Sequence, residues 1–183
     1  MVAHASLSNV RNLEQFLLKF GTAVIKAVSS TAVEYEALIT KYLDGTHFVF
    51  DRSRFASCDE VVSLNWTPDM NDVYKMIRLP QRIAEERCRP YYVILEDFQN
   101  IMLAEEYDDV FKLMEELFRE RNRMQPASAS FIIVGSQVNA MKFIFEEKRF
   151  FWRLVNHVQM QDVEDRDIIE HVVKGFASGG KVI

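Results

Sequence analysis

Cysteine, proline and glycine are all scarce in this chain: two, four and six among 183 residues. Two isolated cysteines, Cys58 and Cys88, exclude a disulfide framework and a zinc site, and they read as reduced thiols. The four histidines, His4, His47, His157 and His171, include no two at metal-ligand spacing on a recognisable helix. No apolar run approaches the roughly 18–20 residues that span a bilayer. The opening MVAHASLSN lacks the basic and apolar regions of a signal peptide. The expectation is a soluble, cytoplasmic chain with no membrane partner. A basic excess is also missing, because the net charge is -5; nucleic acid is therefore not indicated as the main partner. Internal repeats and low-complexity linkers are absent.

What is present suits one folded domain. Apolar residues make up 49% and charged residues 27%, enough to bury a core and too balanced for a disordered chain. Val2 to Leu7 reads as a short strand. Asn12, with Gln15 three residues on, caps a helix whose apolar set is Leu13, Phe16, Leu17, Phe20, Val24 and Ile25. Thr31 and Glu34 form a capping-box pattern for a second helix that should bury Val33, Leu38 and Tyr42 and stop near Gly45. His47 to Asp51 is a strand candidate, and Arg52 to Asn65 carries no clear pattern. Thr67-Pro68 reads as N-cap and first helical residue of a helix carrying Val73, Met76, Ile77 and Ile83, kinked or broken at Pro80.

Tyr91 to Leu95 is continuously apolar, as expected of a strand buried on both faces of a parallel sheet. Glu105 to Met124 reads as a long helix with Tyr107, Phe111, Met114, Leu117 and Phe118 inward, closed by Pro126. Phe131 to Val134 is a second apolar strand, and Val138 to Glu147 is helical. Val155 to Met160 reads as a weaker strand and Asp162 to Phe176 as a last helix. Strands alternating with helices give an α/β fold with a mostly parallel sheet flanked by helices.

The sharpest chemical feature is YYVILEDFQNI, residues 91–101. It sets two carboxylates, Glu96 and Asp97, at the C-terminal end of a buried strand, where ligands bind in open parallel sheets. One carboxylate can hold Mg²⁺ through water and a second can orient an attacking water. The alternative is that two acidic residues merely end a strand and cap the next helix. A metal-dependent nuclease would use the same pair, but Phe98-Gln99 follows in place of the usual acidic-x-lysine pattern.

Residues 79–101, LPQRIAEERCRPYYVILEDFQNI, resemble the Walker B region of the prokaryotic, archaeal-type ATPases of the AAA+ and STAND class. Residues 130–153, SFIIVGSQVNAMKFIFEEKRFFWR, resemble the next strand of that family, its Gly-Ser motif and the following helix. VRNLEQFLLKFGTAVIKA, residues 10–27, is similar to the helix after the family's second strand, and FASGGKVI to the entry of its helical lid. The resemblance implies a P-loop NTPase-like but incomplete core over residues 1–160 and the start of a lid over 161–183. It implies a fragment of an ATP-binding ATPase whose parent couples ATP binding and hydrolysis to conformational change. Glu96 would hold Mg²⁺ through water. Asp97 would take the position of the catalytic carboxylate, beside the bound nucleotide. Ser136 or Gln137 would be the sensor of the γ-phosphate, and Arg153 would be a finger arginine toward a neighbouring subunit. A helix N-cap at Ser136, and solvated or ring-stacked arginines at Arg149 and Arg153, are the plainer alternatives.

Two departures from the family stand out. Its Asp-Glu appears here as Glu96-Asp97, which changes the reach of each carboxylate by one methylene. No Walker A loop precedes these elements. Gly175 and Gly180-Lys181 do fit G-x-x-x-x-G-K, yet Val182 follows where a Mg²⁺-binding hydroxyl belongs, and no helix comes after it to cradle phosphate. A degenerate, non-catalytic interaction module of the same fold is therefore the competing reading, with a protein partner or self-association in place of ATP.

Overall fold

The computed structural model of the chain describes residues 1–121, 128–158 and 165–178. Strand β1, Val2–Ser6, opens the chain and leads into helix α1, Leu13–Lys26, capped by the Asn12 side chain on the Gln15 N–H. Helix α2, Ala32–Tyr42, starts on a complete Thr31/Glu34 capping box. Its inner face is Tyr35, Ile39 and Tyr42, while Val33 is 72% exposed. The buried stripe is therefore turned from the expected set, because positions 35, 39 and 42 share one side of a 3.6-residue helix and position 33 does not.

The region between Thr46 and Asn65 holds a small structure of its own. Strand β2, Phe48–Val49, pairs antiparallel with β3, Ser63–Leu64, around helix α3, Arg52–Cys58, capped by Asp51. The next helix starts later than expected. Asp69 rather than Thr67 caps α4, Met70–Ile77, in a reciprocal box with Asp72. The break expected at Pro80 is real: α4 ends and α5, Leu79–Arg87, begins with the proline in its first turn.

Strand β4, Tyr91–Glu96, lies between β1 and β5, Ala129–Ile133, in a three-stranded parallel sheet of order β1-β4-β5. A 3₁₀ segment, Phe98–Leu103, and helix α6, Tyr107–Arg121, connect β4 to β5. Helix α7, Val138–Lys142, continues into a π-helical turn over Phe143–Glu147, and helix α8 spans Asp165–Ser178. No strand forms over Val155–Val158. The expected helix end at Met124, Pro126, Met160, Asp162, Gly180 and Lys181 lie outside the described residues. Among the described residues no helix is long and apolar enough to cross a membrane.

The sheet is covered on one face. Ala3, Ala5, Tyr91, Val93, Leu95 and Ala129 are buried there. The Tyr91 hydroxyl donates to the Val24 carbonyl of α1 at 2.6 Å, and the Phe118 ring of α6 stands 5.0 Å from Phe131. The buried Gln81 side chain of α5 accepts the Ala129 N–H at 2.8 Å and seats the start of β5. The opposite face is open: Val2, Tyr92, Ile132 and Val134 are exposed. This corrects the expectation of a strand buried on both faces. A continuous apolar run looks the same in sequence whether its second face is covered or not.

Candidate functional site

Backbone hydrogen bonds gather the chain at the C-terminal ends of the three parallel strands. The Leu7 N–H donates to the Glu96 carbonyl at 3.0 Å, and the Phe98 N–H to the Val134 carbonyl at 3.1 Å. The Asn100 side chain donates to the carbonyls of Leu7 (2.9 Å) and Ser8 (3.2 Å). Both loops leaving the neighbouring strands are thus pinned around the acidic pair.

Between them the chain turns sharply at Asp97, whose φ of 52° is left-handed. Asp tolerates that region better than most residues. The turn separates the two carboxylates. Glu96 lies on the open face in register with Ser6, and its Oε2 meets Nε2 of His4 at 3.0 Å. Asp97 faces the β5 exit, where Ser136 Oγ donates to its Oδ1 at 2.5 Å. Gln99 completes the group, its Nε2 lying 3.2 Å from Ser136 Oγ and 3.4 Å from Asp97 Oδ1. Gln99 is only 3% exposed, and its Oε1 is buried without a hydrogen-bond partner among the described residues. Such an atom costs about 1–3 kcal/mol, so this amide is held in place at the expense of stability.

A wall of rings backs the cluster. Phe98 stacks on Phe111 at 5.2 Å and meets Phe145 and Phe151 at 6.3 and 5.9 Å. Burying aromatic rings of this size contributes roughly 2–3 kcal/mol each. The 3₁₀ segment that carries Gln99 is thereby anchored.

The structure brings Asp97 and Ser136 together and places the other expected residues apart. Ser136 is not the N-cap of α7; that position is Gln137, which makes no side-chain cap bond. The Ser136 hydroxyl is committed to Asp97. Arg153 is exposed, with a left-handed φ of 60°, and takes no part in the Asp97 cluster. Arg149 stacks its guanidinium 5.6 Å over the Trp152 ring. Sequence reasoning did not assign His4 or Gln99. The signal for His4 was its place on the alternate face of β1. Gln99 stood out by its place after the acidic pair, where the resembled ATPases also carry a glutamine, but that likeness assigned it no role.

A second polar cluster lies elsewhere. His47, Asp69 and Asp72 hold ligand atoms within 4.8 Å of one another. The buried Asp72 is fully engaged: Oδ1 accepts the His47 N–H at 2.9 Å, and Oδ2 meets the Asp69 N–H and His47 Nδ1, each at 2.8 Å. Burial works against the Asp72 carboxylate, but these hydrogen bonds outweigh it and hold the group below its ordinary range. The bond to Asp72 raises the His47 imidazole above its ordinary value. This is a capping box that ties β2 to α4, with its oxygens already used.

No family model matches this sequence, and no curated protein or solved structure matches it.

Proposed function

We propose that the chain is the metal- and water-handling part of an ATP-binding ATPase core of the AAA+ and STAND type, in a protein that couples ATP binding and hydrolysis to conformational change. The observation that carries this reading is the Asp97–Ser136–Gln99 cluster at the C-terminal ends of two adjacent parallel strands, the place where open α/β sheets receive ligands. Ser136 and Gln99 fix the Asp97 carboxylate, which leaves it oriented to accept a proton from an attacking water. Glu96 supplies hard oxygen on the other side of the turn and suits water-mediated Mg²⁺ once it releases His4. Bound Mg²⁺·ATP would supply the reacting phosphate and neutralise its charge. The donor set fits that metal. The phosphates find no glycine-rich loop among the described residues, so this part of the chain holds nucleotide weakly.

The open apolar face of the sheet favours a second reading, a non-catalytic interaction module of the same fold, because exposed apolar patches mark contact surfaces.

Paramagnetic broadening separates the two. In ¹⁵N spectra of the full chain, Mn²⁺·ATP should broaden the amides of Glu96–Gln99 and Ser136 before any others. Glu96→Gln, which removes the metal-holding carboxylate and leaves the left-handed turn at Asp97 untouched, should abolish the effect. Broadening centred elsewhere, or unchanged by Glu96→Gln, would overturn the nucleotide reading.

A further inference from the structure

The open face of the sheet is laid out by strand register. Val2, Tyr92 and Ser130 form one row, His4, Ile94 and Ile132 the next, and Ser6 stands beside Glu96 in the third. Val134 extends that third row, its N–H donating to the Leu95 carbonyl at 2.8 Å. The surface is thus mainly aliphatic and aromatic, and its charged or titratable groups among the described residues are His4, Glu96 and the Tyr92 phenol. Parallel sheets are normally covered by helices on both faces. Here one face has α1, α5 and α6, while on the other Val2, Tyr92, Ile132 and Val134 stand exposed.

Helix α8 has the opposite deficit. Ile169 is 63% exposed and Val173 48%, and they lie one turn apart on the same side. A surface hollow runs along this stripe, walled by Arg166, Ile169, Glu170, Val173 and Lys174, all of them α8 residues. An apolar stripe on a 14-residue helix is one half of a packing contact, and among the described residues Ile169 and Val173 stand exposed.

We infer that α8 folds back over the open face of its own chain's sheet, with Ile169 and Val173 against Tyr92, Ile94 and Ile132. The sizes match. Fourteen helical residues run about 21 Å, and strands of five or six residues about 17–20 Å. Three strands set about 4.8 Å apart are about 10 Å across, the width of one helix. Of the charges beside the stripe, Lys174 is paired with Glu170 at 2.6 Å, and Arg166 is the group that could meet Glu96 on the sheet face.

The His157 ring packs 5.3 Å from Phe145, and Phe145 stands 6.3 Å from Phe98, the residue after Asp97 at the end of β4. Six residues separate Val158 from Asp165, and six extended residues reach about 20 Å, comparable with the length of the strands. A tethered helix acts at an effective concentration near millimolar, which favours the chain's own α8 over that of a second copy. The inference does not depend on the nucleotide reading.

The test uses the full chain with Cys58 and Cys88 changed to Ser and a spin label on His171→Cys. The amides of Tyr92, Ile132 and Val134 should lose most of their intensity, equally at two protein concentrations. Ile169→Asp with Val173→Asp should restore them, and so should Ile132→Lys, which leaves α8 untouched. Undiminished amides in the labelled chain would overturn the inference. So would broadening that transfers to an unlabelled ¹⁵N chain mixed with a labelled ¹⁴N one, since the cover would then come from a second copy.

Discussion

At Asp97 the backbone, not the carboxylate, limits which substitutions are informative. An ordinary L-residue in the left-handed region costs roughly 1–2 kcal/mol, so Asp97→Ala would combine strain with loss of charge. Asp97→Asn isolates the charge. Gln99 offers a sharper test. Its Nε2 makes two bonds, one of them long, while its Oε1 is buried and unpartnered among the described residues. Replacing it with a methionine of similar length removes both the bonds and the stranded oxygen. Gln99→Met should therefore leave stability within about 1 kcal/mol of the parent while loosening Asp97 and Ser136. Urea melts should be nearly unchanged as Mn²⁺·ATP broadening at Asp97 weakens. A loss of stability well beyond that range would show that the amide is structural and that the cluster is not built around Asp97.

His47 and Asp72 make stability depend on pH in two opposite ways. The His47 imidazole is raised above 6.5, so its contribution is fully present below pH 6.5 and is lost as pH rises through the raised value. Asp72 is lowered below 3.8, so its contribution is present above pH 3.8 and is lost as pH falls through the lowered value. The pair therefore supports the fold best between these limits. Between pH 6 and pH 8 the parent's denaturation midpoint should fall more than that of His47→Gln. Parallel pH profiles would mean that the pair does not titrate with folding.

At the scale of elements, what could be read in the sequence was local. The Asn12 cap and the Thr31/Glu34 box depend on residues three apart, and both form as their spacing predicts. The β2–β3 ribbon was not legible, because two-residue strands leave no periodicity to detect. The same limit applied to the site. Asp97 and Ser136 stand at strand ends and could be picked out, but their hydrogen bond joins residues 39 apart, and nothing local announces it. Helix packing was equally hidden. Gly21 lies where α1 meets α4, and a Cβ there would stand 2.8 Å from both Sδ and Cε of Met76 and 3.2 Å from Val62. Met76 is fully buried, so its flexible end can shift only by repacking against its neighbours. Valine gains only a few tenths of a kcal/mol over glycine in a helix, whereas overpacking costs about 1–3 kcal/mol. Gly21→Val should thus destabilise by roughly 1–3 kcal/mol in denaturant titrations. An unchanged midpoint would contradict this contact.

For the whole molecule the governing fact is a sheet with two different faces. The covered face explains why the chain folds: it gathers the α1, α5 and α6 contacts and the phenylalanine wall behind Asp97. The open face decides what the folded chain then does with its remaining apolar surface. If α8 covers it, the chain stays dispersed; if α8 is displaced, Val2, Tyr92, Ile132 and Val134 become a shared patch between molecules. A net charge of -5 spread over the surface opposes association only weakly once salt screens it. Ile169→Asp with Val173→Asp should therefore raise the light-scattering mass with protein concentration, more so at high salt. Adding Ile132→Lys to that variant should return it to monomer, because a charge in the middle row spoils the patch on every copy. A double variant that scatters as a monomer over the whole concentration range would show that the open sheet face is not the surface that α8 protects.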